Sequence, residues 1–425
     1  MQWRRMSKDV KIFLLAFLAE WGLLVWFRND FGFIAGPLLL LLSNFIMAYY
    51  FLKINKTVSA QNTIGNDFQK LWLIYIAGVI ITGVFGVSLI LQNPPLIENS
   101  DIGFLINEVY VKRFVNGESV YSPYSGFNYG QFTPNYLPFH WLPFCISYLL
   151  GFDQRYIVLA FLFLSIAYYY YHLGKMNHSR FDFWVKCILP FALVLSIFLK
   201  QGKDFANTVE ILLSSYYLFL ALSLFSKGNF PKIMGITFTF LSRYILLFWL
   251  PVLALNEWMN NKKRMLILLA ACILSVFLFF VLPFVLRQPD MVSQIGNLYV
   301  KASVGEWDGQ AWQKPGDKPF QLFQGTGFAS WVYEFTDGTL VNKIERINKL
   351  LFLFSGGTML LLLFLRLKWL QKIPSQIYAL FSLKISIVVF LSFVVIPYVY
   401  LFWTVLFISL AMVLNTPLYR DEEIN

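Results

Sequence analysis

The chain is poor in charge, in histidine and in cysteine. Asp, Glu, Lys and Arg make up 13% of its 425 residues, against about 25% in an ordinary soluble protein. Its three cysteines, Cys145, Cys187 and Cys272, all fall in apolar runs without CxxC spacing, so neither a disulfide framework nor a zinc site is suggested. The three histidines, His140, His172 and His178, are scattered along the chain. His140, in YLPFHWLPF, reads as a packed or anchoring residue among aromatics rather than a ligand, and it receives no catalytic role. P-loop, GxGxxG and GxSxG patterns are missing, which removes the support for nucleotide-binding chemistry. No internal repeat is visible either.

What the chain has in excess is apolar surface: 58% hydrophobic residues and a mean hydropathy of +0.61. A hydrocarbon core about 30 Å thick takes roughly 20 apolar helical residues per crossing. Long runs of that kind lie at 12–27, 33–52, 71–91, 265–286, 350–365, 377–395 and 398–414. Backbone polar groups must be satisfied internally inside a bilayer, so these are helices. The fold class expected is therefore an all-α polytopic membrane protein, with about 11–13 transmembrane helices, some short or broken.

The net charge of +11 does not point to nucleic acid, because the basic residues flank the spans instead of forming one stripe. Arg4, Arg5, Lys8 and Lys11 precede the first run; Lys53, Lys56 and Lys70 follow the second; Lys262, Lys263 and Arg264 precede Met265; Arg366, Lys368 and Lys372 follow Leu365. By the positive-inside rule all four clusters are cytoplasmic. The first run carries Glu20 and lacks a cleavage site after it, so it reads as an uncleaved helix with a cytoplasmic amino terminus. Two polar loops, 92–135 and 287–348, then share the outer face. Three regions follow: an amino-terminal two-helix extension (1–70), a central module (71–255) and carboxy-terminal helices (256–425).

The number of crossings between the two loops stays open. Five full spans at 136–150, 156–173, 187–199, 208–225 and 233–255 fit the ends, but they put Lys175, Arg180 and Lys186 outside, against the positive-inside bias. Alternatively 233–255 is two half-helices meeting at Ser242 and Arg243, with one of the earlier short runs re-entrant.

The first outer loop begins with Asp101, followed by Glu108, Lys112 and Arg113. If 102–115 is an interfacial helix, Glu108 and Lys112 form an i,i+4 pair. Asp101 precedes the helical pattern, where it could serve as an N-cap or as a catalytic carboxylate.

Asp101, the helix after it and NGESVYSPYSGFNYGQFTPNYLPFHWLPF together resemble the start of the polyprenol-phosphate-sugar-dependent mannosyltransferases of glycosyltransferase family 87, within the GT-C class. The family pattern of an outer-loop Asp, a helix, a Gly, a Tyr-x-Pro and a second aromatic-x-Pro falls here on Asp101, Gly117, Tyr121, Pro123, Phe132 and Pro134. Further on, KQGKDFAN stands where the family carries Gly-Gln and Asn, with Gln201 and Gly202 inverted and Asn207 displaced. FLSRYILLFWLP stands where the family has Lys-Pro, with Arg243 replacing Lys. Two extra spans precede the usual first one.

The resemblance implies a GT-C-like bundle that transfers a mannose-like hexose from a polyprenyl phosphate donor to a glycolipid or glycan acceptor by inverting displacement. The setting would be the outer face of a bacterial inner, or plasma, membrane. Asp101 would be the general base. Arg243 would neutralise the lipid phosphate, since Arg suits phosphate oxygens and a charge inside an apolar segment is costly; its rival role is an ion pair with Glu210 or Asp204. Lys203, Gln201 and Tyr121 are further substrate-groove candidates. In the second loop, Trp307, Trp312 and Trp331 offer stacking faces for sugars or interface anchors, and Lys301 is a possible phosphate partner. No cofactor or metal is implied. A lipid-linked saccharide flippase or transporter, and an oligosaccharide polymerase or ligase, are the other functional classes kept open.

Overall fold

The computed structural model describes residues 6–27, 30–56, 68–127, 130–132, 134–176, 179–289, 303–308 and 318–418, and it is almost entirely helical. The main helices are α1 (Lys8–Trp21, continued by the π-helical Gly22–Trp26), α2 (Gly32–Asn55), α3 (Phe68–Gln92), α4 (Arg155–Leu173), α5 (Arg180–Ala206), α6 (Glu210–Ser223), α7 (Phe230–Phe240), α8 (Leu250–Asn260), α9 (Lys262–Val276, continued by the π-helical Phe277–Val285), α10 (Leu340–Lys368), α11 (Ser375–Ser392) and α12 (Trp403–Leu414). Seven of them, α2, α3, α4, α5, α9, α10 and α11, are long and apolar enough to cross a membrane, while α6 and α12 are shorter. Two strands, Tyr124–Phe127 and Gly130–Phe132, pair antiparallel in the first loop. The main hydrophobic core runs from Met6 to Leu418 and includes residues of α1 and α2, which pack into the same body as the later helices.

Polar contacts show which helix ends lie together. At one end Lys53 bonds Asp9 (2.8 Å), the Tyr168 and Ser226 hydroxyls meet (2.6 Å), Lys186 donates to the Thr416 carbonyl (2.8 Å) and Arg264 donates to Asn229 (2.9 Å). At the other end Gln201 donates to the Leu24 carbonyl (2.6 Å), Ser100 to the Asn207 carbonyl (2.7 Å), Arg155 to the Pro94 carbonyl (2.9 Å) and Trp331 to the Phe33 carbonyl (2.8 Å). The first end gathers the described basic clusters around Lys8, Lys56, Lys263 and Lys368; the second carries both polar loops.

Between the two loops the chain follows the second of the two courses that the sequence left open. The run 136–150 is not a crossing. It consists of the short helices Pro138–Trp141 and Cys145–Leu150 around a 3₁₀ turn, closed by Gly151 at φ 69°, a value glycine adopts without a Cβ penalty. It begins and ends at the loop-bearing end, so α4 descends from there and α5 returns. Lys175, Arg180 and Lys186 therefore sit at the basic end, and the conflict with the positive-inside bias disappears. Lys186 is in addition buried against Asp182 at 3.0 Å.

In keeping with that course, α7 and α8 are two half-helices, α7 starting from the basic end and α8 ending there, where Lys232 meets Glu257 at 3.4 Å. They meet in the break at Leu241–Arg243 and the 3₁₀ turn Tyr244–Phe248. Among the described helices neither of these two runs makes a full pass, because one turns back and the other is split.

The arrangement predicts labelling. In a background without the three native cysteines, Glu118→Cys and Asp337→Cys should react with an impermeant maleimide from the same side of sealed membranes, and Lys227→Cys only from the other. Labelling of Glu118→Cys and Lys227→Cys from one side would overturn the assignment of ends.

Candidate functional site

Several backbone breaks converge at the loop-bearing end. Helix α5 bends at Gln201 (φ −128°, ψ 31°) and stops at Ala206; α6 begins at Glu210. The α7–α8 hairpin breaks at Arg243, which is extended (φ −151°, ψ 142°). Chain 393–398 separates α11 from the 3₁₀ turn Val399–Phe402 before α12. Unwound backbone at such depth is tolerated where protein or a cavity surrounds it.

Arg243 and Glu210 form an ion pair at this junction, with Glu210 only 3% exposed and Arg243 26% exposed. Tyr136, Tyr400, Tyr217 and His140 all lie within electrostatic reach of the guanidinium. His140 stacks on Tyr136 with centroids 4.2 Å apart and rings nearly parallel. Among the described residues, Arg243 Nε, the Tyr217 hydroxyl and both His140 ring nitrogens have no hydrogen-bond partner within bonding geometry, although the Ser242 backbone lies in reach of the imidazole. Buried polar groups are otherwise almost always satisfied. A guanidinium held by one carboxylate, about a quarter exposed and close to polar atoms without partners among the described residues, has capacity for a polar ligand.

No protein family, curated protein or solved structure matches this chain. The functional reading therefore rests on the residues and their geometry.

The first loop is built to present its residues to this junction. Helical backbone runs from Asp101 to Val115 through a π-helical segment, Leu105–Val111. Ser100 is extended (φ −144°, ψ 132°), and its carbonyl accepts from the Phe104 amide at 2.9 Å. Ser100 thus occupies the N-cap position, and Asp101 is the first helical residue; the Asp101 side chain lies outside the described part. The Ser100 hydroxyl reaches the Asn207 carbonyl, which ties the start of this helix to the break preceding Glu210. The expected Glu108–Lys112 pair is present at 2.6 Å, and its hydrogen bond raises the pKa of the Lys112 ammonium. Gly117, at φ 72°, turns the chain after the helix. Arg113 then gathers the carbonyls of Val120, Ser122 and Pro123.

Tyr121 is 2% exposed, packs on Phe280 and Phe284, and donates to the Tyr136 carbonyl at 2.9 Å. Tyr110 accepts from the Asn135 and Tyr136 amides at 2.7 and 2.9 Å. The two tyrosines clamp both sides of the Tyr136 backbone and so hold Tyr136 and His140 against Arg243. Tyr121 is a positioning residue here, buried away from any open groove.

Other candidates are placed as follows. Gln201 is 3% exposed, accepts from the Trp403 indole at 2.5 Å and donates to the Leu24 carbonyl at 2.6 Å, so it ties the bend of α5 to α1 and α12. Lys203 is exposed two residues on. Trp307 is buried and donates to the Val395 carbonyl at 3.1 Å within a small core that includes Leu322, Val332 and Ile347; this corrects its role as a stacking face. Trp331 donates to the Phe33 carbonyl. Lys301 and Trp312 lie outside the described residues. The second loop nonetheless bears on the junction, because Thr326 donates to the Pro397 carbonyl at 2.7 Å and the Phe328 amide to the Ser392 carbonyl at 2.8 Å. Gly327 packs so tightly on Pro397 that a Cβ would lie 2.6 Å from it.

Three supporting residues escaped the sequence reading: Tyr110, Tyr217 and Arg155. Arg155 is 1% exposed, pairs with Asp153 at 2.8 Å and donates to the carbonyls of Ile90, Asn93, Pro94 and Ala206, knotting α3, α4 and α5 together beneath the Asp101 loop. Its one sequence signal is an Asp two residues before an Arg at the head of an apolar run.

Proposed function

We propose that the chain is a membrane glycosyltransferase that moves a hexose from a polyprenyl phosphate to a glycolipid or glycan acceptor. The observation that carries the reading is the Arg243 junction, a partly open cation among unsatisfied polar atoms, tethered through Ser100 and Asn207 to the helix that starts at Asp101. The resemblance of the 101–134 stretch to the family named above supplies the reaction class.

In this reading the Asp101 carboxylate takes the proton of an acceptor hydroxyl as its oxygen attacks the anomeric carbon. The carbon–oxygen bond to the lipid phosphate breaks on the opposite face, so the sugar inverts and the phosphate leaves with the electron pair. Arg243 receives that negative charge through the guanidinium donors Glu210 does not occupy. Glu210 orients the guanidinium, and Tyr136 and His140 form a wall beside it. Charge stabilisation where charge develops is among the largest contributions an active site makes.

The test is lipid analysis of the purified protein followed by transfer of labelled hexose from a polyprenyl phosphate in proteoliposomes. Co-purifying polyprenyl-phosphate hexose and its turnover support the proposal; an undecorated or oligosaccharide-bearing carrier without transfer favours a transporter or polymerase.

Arg243 divides the roles further. Arg243→Met is expected to lower stability by about 3 kcal/mol or less, because Glu210 loses its partner while exposure at Arg243 screens the loss. Transfer per folded molecule should also drop at least tenfold, and Arg243→Lys should keep the fold but weaken donor use. A stability loss with normal transfer per folded molecule would leave Arg243 a purely structural residue.

A further inference from the structure

At the basic end, opposite the junction just described, the turn before α7 and the turn before α9 flank a wide-open cavity of about 300 Å³ lined by Lys227, Asn229, Asn261, Lys263, Arg264 and Ile267. The charge here is unbalanced. Arg264 is shared with the buried Glu257 at 3.7 Å and donates to Asn229 at 2.9 Å, but Lys227 and Lys263 are exposed and form no ion pair among the described residues. Asn261 caps α9, accepting from the Arg264 amide at 2.9 Å, so the first turn of α9 also faces the cavity with its positive end.

Directly along the same two helices runs a second cavity, of about 320 Å³, between α7 and α9. Apart from Thr237 its wall is apolar, with Ile236, Phe240, Leu269, Ile273, Phe277 and Val281 contributing. From Leu269 to Val281 it follows the helix for about 18 Å at 1.5 Å per residue, close to the roughly 15 Å depth of one leaflet's hydrocarbon. The opening is lateral, since α9 is the most lipid-facing of the long helices: only 6% of its span is buried.

We infer that the cleft between α7 and α9 binds an anionic phospholipid, its phosphate among Lys227, Lys263 and Arg264 and an acyl chain along the apolar groove. A free phosphate would match the cations but would leave the groove unexplained, and a zwitterionic lipid would match the groove but not the two unpaired lysines. Basic pockets between membrane helices favour anionic headgroups. The site is separate from the proposed catalytic junction and does not depend on that reading, although the lipid would lie against the half-helix whose other end carries Arg243.

The experiment is a lipid titration of the full chain in detergent, read by native mass spectrometry, with phosphatidylglycerol as probe and phosphatidylcholine as reference. Phosphatidylglycerol is expected to bind at least tenfold more tightly. Each basic residue near the surface contributes about fivefold, so Lys227→Gln with Lys263→Gln should weaken it about thirtyfold. Both side chains are exposed, so the fold should persist, and Lys349→Gln, on α10, serves as a charge control with no effect. Ile273→Trp, which fills the groove and leaves the cations in place, should weaken phosphatidylglycerol as well. Unchanged affinity in the double lysine variant overturns the proposal. So does millimolar inorganic phosphate that displaces the lipid equally well from wild type and from Ile273→Trp, since the site would then take free phosphate.

Discussion

Asp101→Asn is expected to lower hexose transfer on the order of a hundredfold to ten-thousandfold while leaving the fold nearly as stable as wild type. The backbone geometry makes the second half of this expectation sharper than sequence alone could. An Asp at an N-cap contributes to stability through its side-chain acceptor, and Asn substitutes for it well. Here Ser100 holds the cap position, because its carbonyl accepts the Phe104 amide and its backbone is extended. A carboxylate at the first helical position gains about 0.3–1 kcal/mol from the helix dipole, so its loss to Asn costs little. An amide has no useful affinity for a proton, so a base at this position cannot tolerate the change. The measurement is labelled-sugar transfer in proteoliposomes at matched folded amounts, with thermal stability recorded in parallel. Glu108→Gln controls for loss of loop charge, since that carboxylate is engaged by Lys112. Wild-type turnover by Asp101→Asn would remove the base from this residue and most of the case for a transferase.

Helical architecture and the clustering of both loops at one end were legible, because apolar run length and flanking Lys and Arg report on physical requirements of a bilayer. The course of the chain between the loops was not. Residues 136–150 have the composition of a short span, and what turns them back is remote: Tyr110 holding the Asn135 and Tyr136 amides, and the Phe139 amide donating to the Leu241 carbonyl at 2.9 Å. The break at Ser242 and Arg243 could be foreseen as an alternative, since a charge in an apolar run needs a partner. Choosing Glu210 over Asp204 required the fold, as the pair spans 33 positions. The burial of Trp307 and Gln201 was not legible, for a common reason. Indoles and amides serve ligands and buried carbonyls with the same donors, and only burial distinguishes the two uses. The Tyr-x-Pro stretch shows the reverse: its Gly117 and Tyr121 fold the loop that positions Tyr136 and His140.

Breaking the pair of Glu20 and Lys384 is expected to cost about 3–5 kcal/mol. Both residues are completely buried, with Lys384 donating to Glu20 at 2.8 Å. The ammonium also donates to the Val405 carbonyl at 3.0 Å and to Ser409, and the Ser409 hydroxyl donates back to the carboxylate at 2.8 Å. The network is satisfied and links α1, α11 and α12, which makes it a structural tie where an intramembrane charge would by default suggest a function. Glu20→Leu leaves a buried ammonium with no counter-charge, and Lys384→Met leaves a buried carboxylate. Each should lower thermal stability sharply in detergent. The double variant should recover most of the loss, because apolar side chains then fill the space without any charge to desolvate. Transfer per folded molecule should be unchanged in the double variant, as neither residue contacts the Arg243 junction. Single variants within about 1 kcal/mol of wild type, or a double variant that merely sums their losses, would show that the pair does not act as a coupled buried tie.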